Sequence, residues 1–358
     1  MDTDLDLNPK EARPGEVTFF EGVGDGKGGG NGGQKKEIRV RDIAAGDSAT
    51  WVVTEDRGVW GWGTMRSSEG TTRFHPLTTL QSFPTPISSI PEPIIRIVAG
   101  CNHVLCLSQK GNVYTWGAGC EQGQLGRRVV ERSRLSHVLT PRKIGLKSIA
   151  DIGTGSDHSF AISSDGKVYA WGLNNFGQTG VVPSSKRNTI GGTKAGEDSA
   201  CVMLPSLVEG LAGKKVVKIT GGNKHSLALT ETGEVYSWGM VDGFATGHRL
   251  ADFTEGDERV VRDERGRPRI LKVPTKIRGA LEGKKVISVT AGGEHSLVVT
   301  SEGKAYGWGF NNSHQTGQRG DDDVEVPMLV DYKAVRGKRF VWAGAGGQFS
   351  LLGEEVLD

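Results

Sequence analysis

The sequence holds no run of about 18 apolar residues, which excludes a membrane-spanning helix of ordinary length. Its opening, Met1-Asp-Thr-Asp-Leu-Asp-Leu, is acidic and lacks the basic and apolar regions of a secretory leader. Cysteine is scarce: Cys101, Cys106, Cys120 and Cys201 form no CxxC pair, and Cys101 and Cys106 fall far apart along one extended strand. We read them as reduced thiols of an intracellular protein. Neither sign of charge prevails, with 44 basic against 42 acidic residues and a net of +2. Any affinity for nucleic acid must therefore come from local clustering. No Ser/His/Asp set or carboxylate pair stands out. The stretch GVGDGKGGGNGG at 22–33 contains Gly-Lys, but Gly28 stands where a phosphate loop needs Ser or Thr, and no apolar strand or helix flanks it. It reads as a flexible linker.

Glycine is what the sequence has in excess, at 54 residues without a collagen period. That composition points to many tight turns between short strands. With 36% hydrophobic residues, 358 positions suffice for a continuous core.

A repeat dominates the chain. IAAGDSATWVV from Ile43, IVAGCNHVLCL from Ile97, IGTGSDHSFAI from Ile152, ITGGNKHSLAL from Ile219 and VTAGGEHSLVV from Val289 align by eye, and WAGAGGQFSLL from Trp342 gives a sixth copy. Each of the first five is followed by an aromatic segment: VWGWG at Val59, VYTWG at Val113, VYAWG at Val168, VYSWG at Val235 and AYGWG at Ala305. Between the two arms stand Gly58, Gly111, Gly166, Gly233 and Gly303, placed where a hairpin needs positive φ. The unit is a β-hairpin, with apolar alternation on the first arm and Tyr-x-Trp on the second. Its large side chains are suited to packing between neighbouring sheets. The spacing from Trp62 to Trp116, Trp171, Trp238 and Trp308 is 54, 55, 67 and 70 residues. One four-stranded blade fits each period, which is longer than the units of about 40–45 or 50 residues in other propeller repeats. The two long gaps carry polar inserts at 181–200 and 241–269, expected to be surface loops.

GxxHS, a glycine turn and YxWG together resemble the repeat of the regulator-of-chromosome-condensation family, the exchange factors for the small GTPase Ran, over roughly residues 38–352. Blade-specific text sharpens the likeness: GDS at Gly46, WGTMRSSEG at Trp62, EQGQLGR at Glu121 and LNNFGQTG at Leu173. The resemblance implies an all-β propeller of about five blades plus a terminal half, an incomplete version of the family's seven-bladed ring. The first repeat resembles the family's third blade, and Met1 is expected to mark a start that omits two blades. We expect an acidic, glycine-rich N-terminal segment at 1–37, propeller repeats at 38–352 and a tail at 353–358.

His103, His158, His225 and His295 hold the same repeat position, with Ala49 and Phe349 there in the other two copies. Equivalent residues of separate blades are too far apart for one metal ion with bonds near 2 Å, so we expect a structural hydrogen-bonding role and no metal. The preceding residues, Ser48, Asn102, Asp157, Lys224, Glu294 and Gln348, vary where the scaffold is monotonous. Loops that rim one end of a propeller are suited to partner contact.

The resemblance implies a GTPase-binding face containing Asp47, Asn102, Arg127 and Lys224, to which the rim pattern adds Asp157 and Glu294. It also implies a β-hairpin wedge at 65–70, with Arg66 and Glu69 as polar contacts. Ser67 and Ser68 replace an acidic–amide pair, Asn102 replaces a carboxylate, and Lys224 and Phe349 stand where relatives carry histidine. The densest basic stretch, Arg127 to Lys143, offers Arg128, Arg132 and Arg134 to DNA phosphates or an acidic histone surface, the alternative being a solvated loop. The expected function is guanine-nucleotide exchange on a Ran-type GTPase at chromatin in the nucleus, without cofactor or covalent chemistry. The alternative is a non-catalytic propeller scaffold for protein or chromatin contacts.

Overall fold

The computed structural model describes residues 19–21, 34–36, 38–118, 120–129, 134–182 and 200–355. Arg132, the 22–33 stretch and most of the 181–200 insert lie outside them. Five sheets follow one another along the chain, each opening with an inner strand. The first blade comprises Val40–Ala45, Ala49–Thr54, Val59–Gly63 and Gln81–Pro86; the second, Ile94–Ala99, His103–Ser108, Val113–Gly117 and Arg142–Lys143. The third comprises Ile149–Thr154, His158–Ser163, Val168–Leu173 and Cys201–Leu207; the fifth, Val286–Ala291, His295–Thr300, Ala305–Gly309 and Val324–Leu329. A final pair, Phe340–Ala345 with Ser350–Glu354, makes the terminal half-blade. Successive inner strands lie beside each other. The α-helix among the described residues is six residues long, Arg134–Leu139. The expected all-β propeller repeats are thus present.

The fourth blade corrects the four-stranded rule. Beyond Val216–Gly221, His225–Thr230, Val235–Met240 and Pro268–Lys276 it carries a fifth, outermost strand, Val260–Arg262. That strand comes from the 241–269 insert, expected to be a surface loop. The insert instead folds on its own apolar cluster of Val241, Phe253 and Val260 against Leu271 of the blade. Arg262 closes the turn over it, donating to Phe253 O at 2.8 Å and Thr254 O at 2.7 Å. Its charges made the segment look solvated, although three apolar residues among them are enough to seed a core.

Two further expectations change. The second strands, such as His103–Ser108 and His225–Thr230, are buried at every position, so no solvated face alternates with a core face. Packed between neighbouring blades, these strands bury both sides, as inner sheet strands do. Trp51, Trp171, Trp238 and Trp308 are completely buried between blades. Turn glycines Gly111, Gly166, Gly233 and Gly303 have φ of 74–86°, but in the first blade Arg57 takes the positive φ, at 65°, and Gly58 does not. Within 1–37, Phe19–Glu21 pairs with Gln34–Lys36, and at the other end the last strand runs to Glu354, past the expected boundary.

Candidate functional site

The loops between first and second strands, at 46–48, 100–102, 155–157, 222–224, 292–294 and 346–348, gather into one rim. Backbone bonds string them together from blade to blade: Asp47 N–H to Cys101 O at 3.0 Å, Cys101 to Ser156 at 3.0 Å, Ser156 to Gly222 at 3.1 Å, Asn223 to Gly293 at 2.9 Å and Gly293 to Gly346 at 3.1 Å. The first glycine of GxxH makes this approach feasible. A Cβ on Gly155 would lie 2.1 Å from His158 Cε1 and 2.7 Å from Gly222 O. Any larger residue would push the loop off its neighbour.

Beneath the rim, the repeat histidines bolt adjacent blades together. Nε2 of His103, His158, His225 and His295 lies 2.9 Å from Oγ of Ser159, Ser226, Ser296 and Ser350 on the following blade. Each serine gives its own proton backward, to Gln124 O, Gln178 O, Ala245 O or Gln315 O. The serine oxygen is therefore the acceptor and Nε2–H the donor, so the neutral ring carries its proton on Nε2. Burial agrees, lowering these histidines to about 4, 3, 3 and 4 in chain order. The same carbonyls of Gln124, Gln178 and Ala245 accept Nε1–H of Trp171, Trp238 and Trp308. At the first junction Ala49 and Val104 replace histidine and serine, and Trp51 meets Trp116 edge-on at 6.5 Å. The expected hydrogen-bonding role of the histidines holds, and among the described residues no acid–histidine–cysteine group could hold a metal.

The variable side chains of the rim are held from behind by the preceding blade. Asn102 Oδ1 accepts Arg66 N–H at 2.6 Å, tying the Met65–Arg66/Thr72–Arg73 hairpin to the second blade. That hairpin stands at the position where the wedge is expected; Met65 is buried at its base, and Arg66, Ser68 and Glu69 are exposed. Asp157 Oδ1 accepts Gln124 Nε2–H at 3.2 Å, and burial raises the Asp157 carboxyl against the pull of that bond. Lys224 Nζ sits 5.1 Å from the centre of the Phe176 ring. Asp47 and Glu294 are exposed on the same rim. The structure thus assembles Asp47, Asn102, Asp157, Lys224 and Glu294 on one rim, with the wedge beside it.

Arg127 is not among them. Its guanidinium turns into the second blade, donating to Thr115 Oγ1 at 3.3 Å, Thr115 O at 3.3 Å and His137 O at 2.7 Å, and burial lowers it to about 10. It thereby ties the middle of the third strand, Val113–Gly117, to the helix Arg134–Leu139. In the basic stretch Arg128 is exposed, whereas Arg134 is bonded to Glu121. Gln124 and Phe176, which position rim residues, escaped the sequence reading; their signal was the recurring Gly-Gln text of EQGQLGR and NNFGQTG.

Residues 13–352 match the RCC1-like domain. The chain belongs to this family. Among relatives of the RCC1-like domain, protein pim1 of Schizosaccharomyces pombe is 40% identical over 321 residues, covering 89% of this chain and 56% of its own length. The chain thus spans little more than half of that protein. Guanine nucleotide exchange factor SRM1 of Saccharomyces cerevisiae is 33% identical over 360 residues, 98% of this chain and 68% of the relative. The RCC1-like fold superposes on the crystal structure of Prp20p from Saccharomyces cerevisiae, a protein described with its binding to Gsp1p and histones, at a TM-score of 0.79 with 33% identity, covering 90% of this chain and 70% of that one.

Proposed function

We propose that this chain is a guanine-nucleotide exchange factor for a Ran-type small GTPase, acting at chromatin in the nucleus. The observation that carries the reading is the union of rim and wedge: Asn102 of the rim clasps the backbone of Arg66 in the wedge, so one rigid surface presents both. The names of the yeast relatives support it, one being a guanine nucleotide exchange factor and another described with Gsp1p and histones. Asp47, Arg66, Glu69, Asn102, Asp157, Lys224 and Glu294 form the GTPase surface in this reading, and the exposed Arg128 with its neighbours Arg132 and Arg134 is the chromatin contact. Exchange needs no covalent step. A factor that binds the nucleotide-free GTPase more tightly than the loaded one weakens nucleotide affinity by the same free energy.

The test is Asp47→Ala. An acceptor-only carboxylate on the rim is suited to a basic or amide donor, and losing that charge-assisted bond costs roughly 1.5–3 kcal/mol. At about 1.4 kcal/mol per decade, release of labelled GDP from Ran should slow ten- to hundred-fold. Thermal unfolding should not move, because Asp47 is exposed and its backbone bond to Cys101 survives the substitution. A chain with no exchange to lose is the scaffold alternative. A normal rate in a destabilised variant sinks the role of Asp47.

A further inference from the structure

One repeat position breaks its own pattern inside the rim. In the loops after the third strand, Gln124, Gln178 and Gln315 occupy the same place and are buried. Each folds its amide back over its loop: Oε1 accepts from Gln122 N at 3.1 Å, Phe176 N at 2.8 Å and Ser313 N at 2.8 Å. The amide nitrogen serves acceptors nearby, Gln178 donating to Asn175 Oδ1 at 3.1 Å and Gln124 to Asp157 Oδ1 on the next blade at 3.2 Å.

In the fourth blade this residue is Ala245. The loop backbone keeps its place, for Ala245 O still accepts from Ser296 and Trp308, both at 2.9 Å. Only the amide is gone, and a cavity of about 170 Å³ opens there, lined by Lys224, His225, Met240, Asp242, Ala245 and Glu294 among others. The acceptors remain. Asp242 stands where Asn175 does and Glu294 where Asp157 does. Arg269 Nε holds Asp242 Oδ2 at 3.1 Å, whereas Oδ1 is buried with no hydrogen-bond partner. A buried carboxylate oxygen without a donor is costly, and a group that supplies one recovers that cost.

We propose that this cavity, at the junction of the fourth and fifth blades, is a socket for a lysine or arginine side chain of the protein partner that docks on the rim. Both acids of the lining keep an oxygen for a cation: Arg269 engages Asp242 through Oδ2 alone, leaving Oδ1 without a donor, and Lys224 Nζ lies over the Phe176 ring toward the third blade. His225 is neutral, its Nε2–H committed to Ser296. The apolar wall of Met240 and Ala245 suits an aliphatic stem and the two acids suit its head, as basic side chains require. The socket rests on the reading of the rim as the GTPase surface.

Ala245→Gln in the full chain restores the residue that the other blades carry. It should raise the melting temperature by filling the cavity and giving Asp242 a donor, and weaken binding of nucleotide-free Ran at least tenfold. A merely structural cavity predicts the first effect without the second. Unchanged Ran affinity in a stabilised Ala245→Gln variant therefore overturns the socket. Asp242→Asn, which copies Asn175, is the second variant. It should weaken Ran binding and reduce its dependence on salt, and unaltered affinity and salt slope overturn the proposal even if Ala245→Gln fails to fold. The comparison with Asp47→Ala separates the two levels. If that variant slows exchange while both socket variants bind normally, only the socket fails; if it too exchanges normally, the rim is not the GTPase surface and the socket falls with it.

Discussion

Arg127 shows how a side chain read as a contact residue becomes part of the scaffold. Its Nη2 donates to the carbonyl oxygens of Thr115 and His137 while Nε donates to Thr115 Oγ1, a spread of donors on one plane that a lysine ammonium cannot reproduce. Arg127→Lys should cost about 1–3 kcal/mol, the range for a buried acceptor left without its donor. Denaturant unfolding should report that loss, while Ran affinity at a temperature where both proteins are folded stays unchanged. A weakened affinity with normal stability would return Arg127 to the binding surface. The sequence distinguishes poorly between these roles, because an arginine in a loop reads the same whether it points in or out. Asp157 and Lys224 were easier, since their position in the repeat varies where its neighbours do not. Their holders, Gln124 and Phe176, were missed because the recurring Gly-Gln text marks their loops but not which residues of the next blade their side chains meet.

Hairpins were legible because their text recurs five times with glycine at the turn and tryptophan on the second arm. The exceptions have physical causes. Arg57, not Gly58, occupies the turn position of Gly111 in the first hairpin: Arg57 N–H bonds Thr54 O as Gly111 N–H bonds Ser108 O. Backbone bonds along the rim belong to no residue type, so no sequence pattern announces them. The fifth strand of the fourth blade was hidden because Val241, Phe253 and Val260 are spread among arginines and acids. Phe253 is 6% exposed at the centre of that cluster and meets His248 edge-on. Phe253→Ala should destabilise the protein by about 3 kcal/mol, at the low end for buried aromatic truncations because the cluster is small. Hydrogen exchange should localise the loss to residues 250–271, and uniform loss of protection over all blades would show that the insert does not fold as a satellite.

Across the whole molecule the four bolts make acid a common stress. His103, His158, His225 and His295 are held at about 4, 3, 3 and 4 in the folded chain by burial, against about 6.5 when unfolded. As pH falls through 6.5 the unfolded chain takes up protons first, so stability present above that pH is lost on the way down toward pH 4, by at most about 1.4 kcal/mol per pH unit for each histidine. Melting temperature should fall steeply between pH 6.5 and 4.5, and His158→Gln should shallow the slope by about a quarter. A melting temperature flat over that interval contradicts neutral histidine bolts. Carboxylates held low, such as Asp165 beside Lys167, lose their contribution only further down.

The first junction lacks histidine and serine together, and that paired loss gives the blades an order. The second blade presents Val104 to whatever precedes it and so accepts only a predecessor without the histidine. Set behind the third blade, it would strand the His158 N–H against a methyl group. The third, fourth and fifth blades each offer serine backward and histidine forward, and in this respect they are interchangeable. Recombination among the middle repeats can shuffle blades without orphaning a buried donor, whereas the first two must be inherited as a unit.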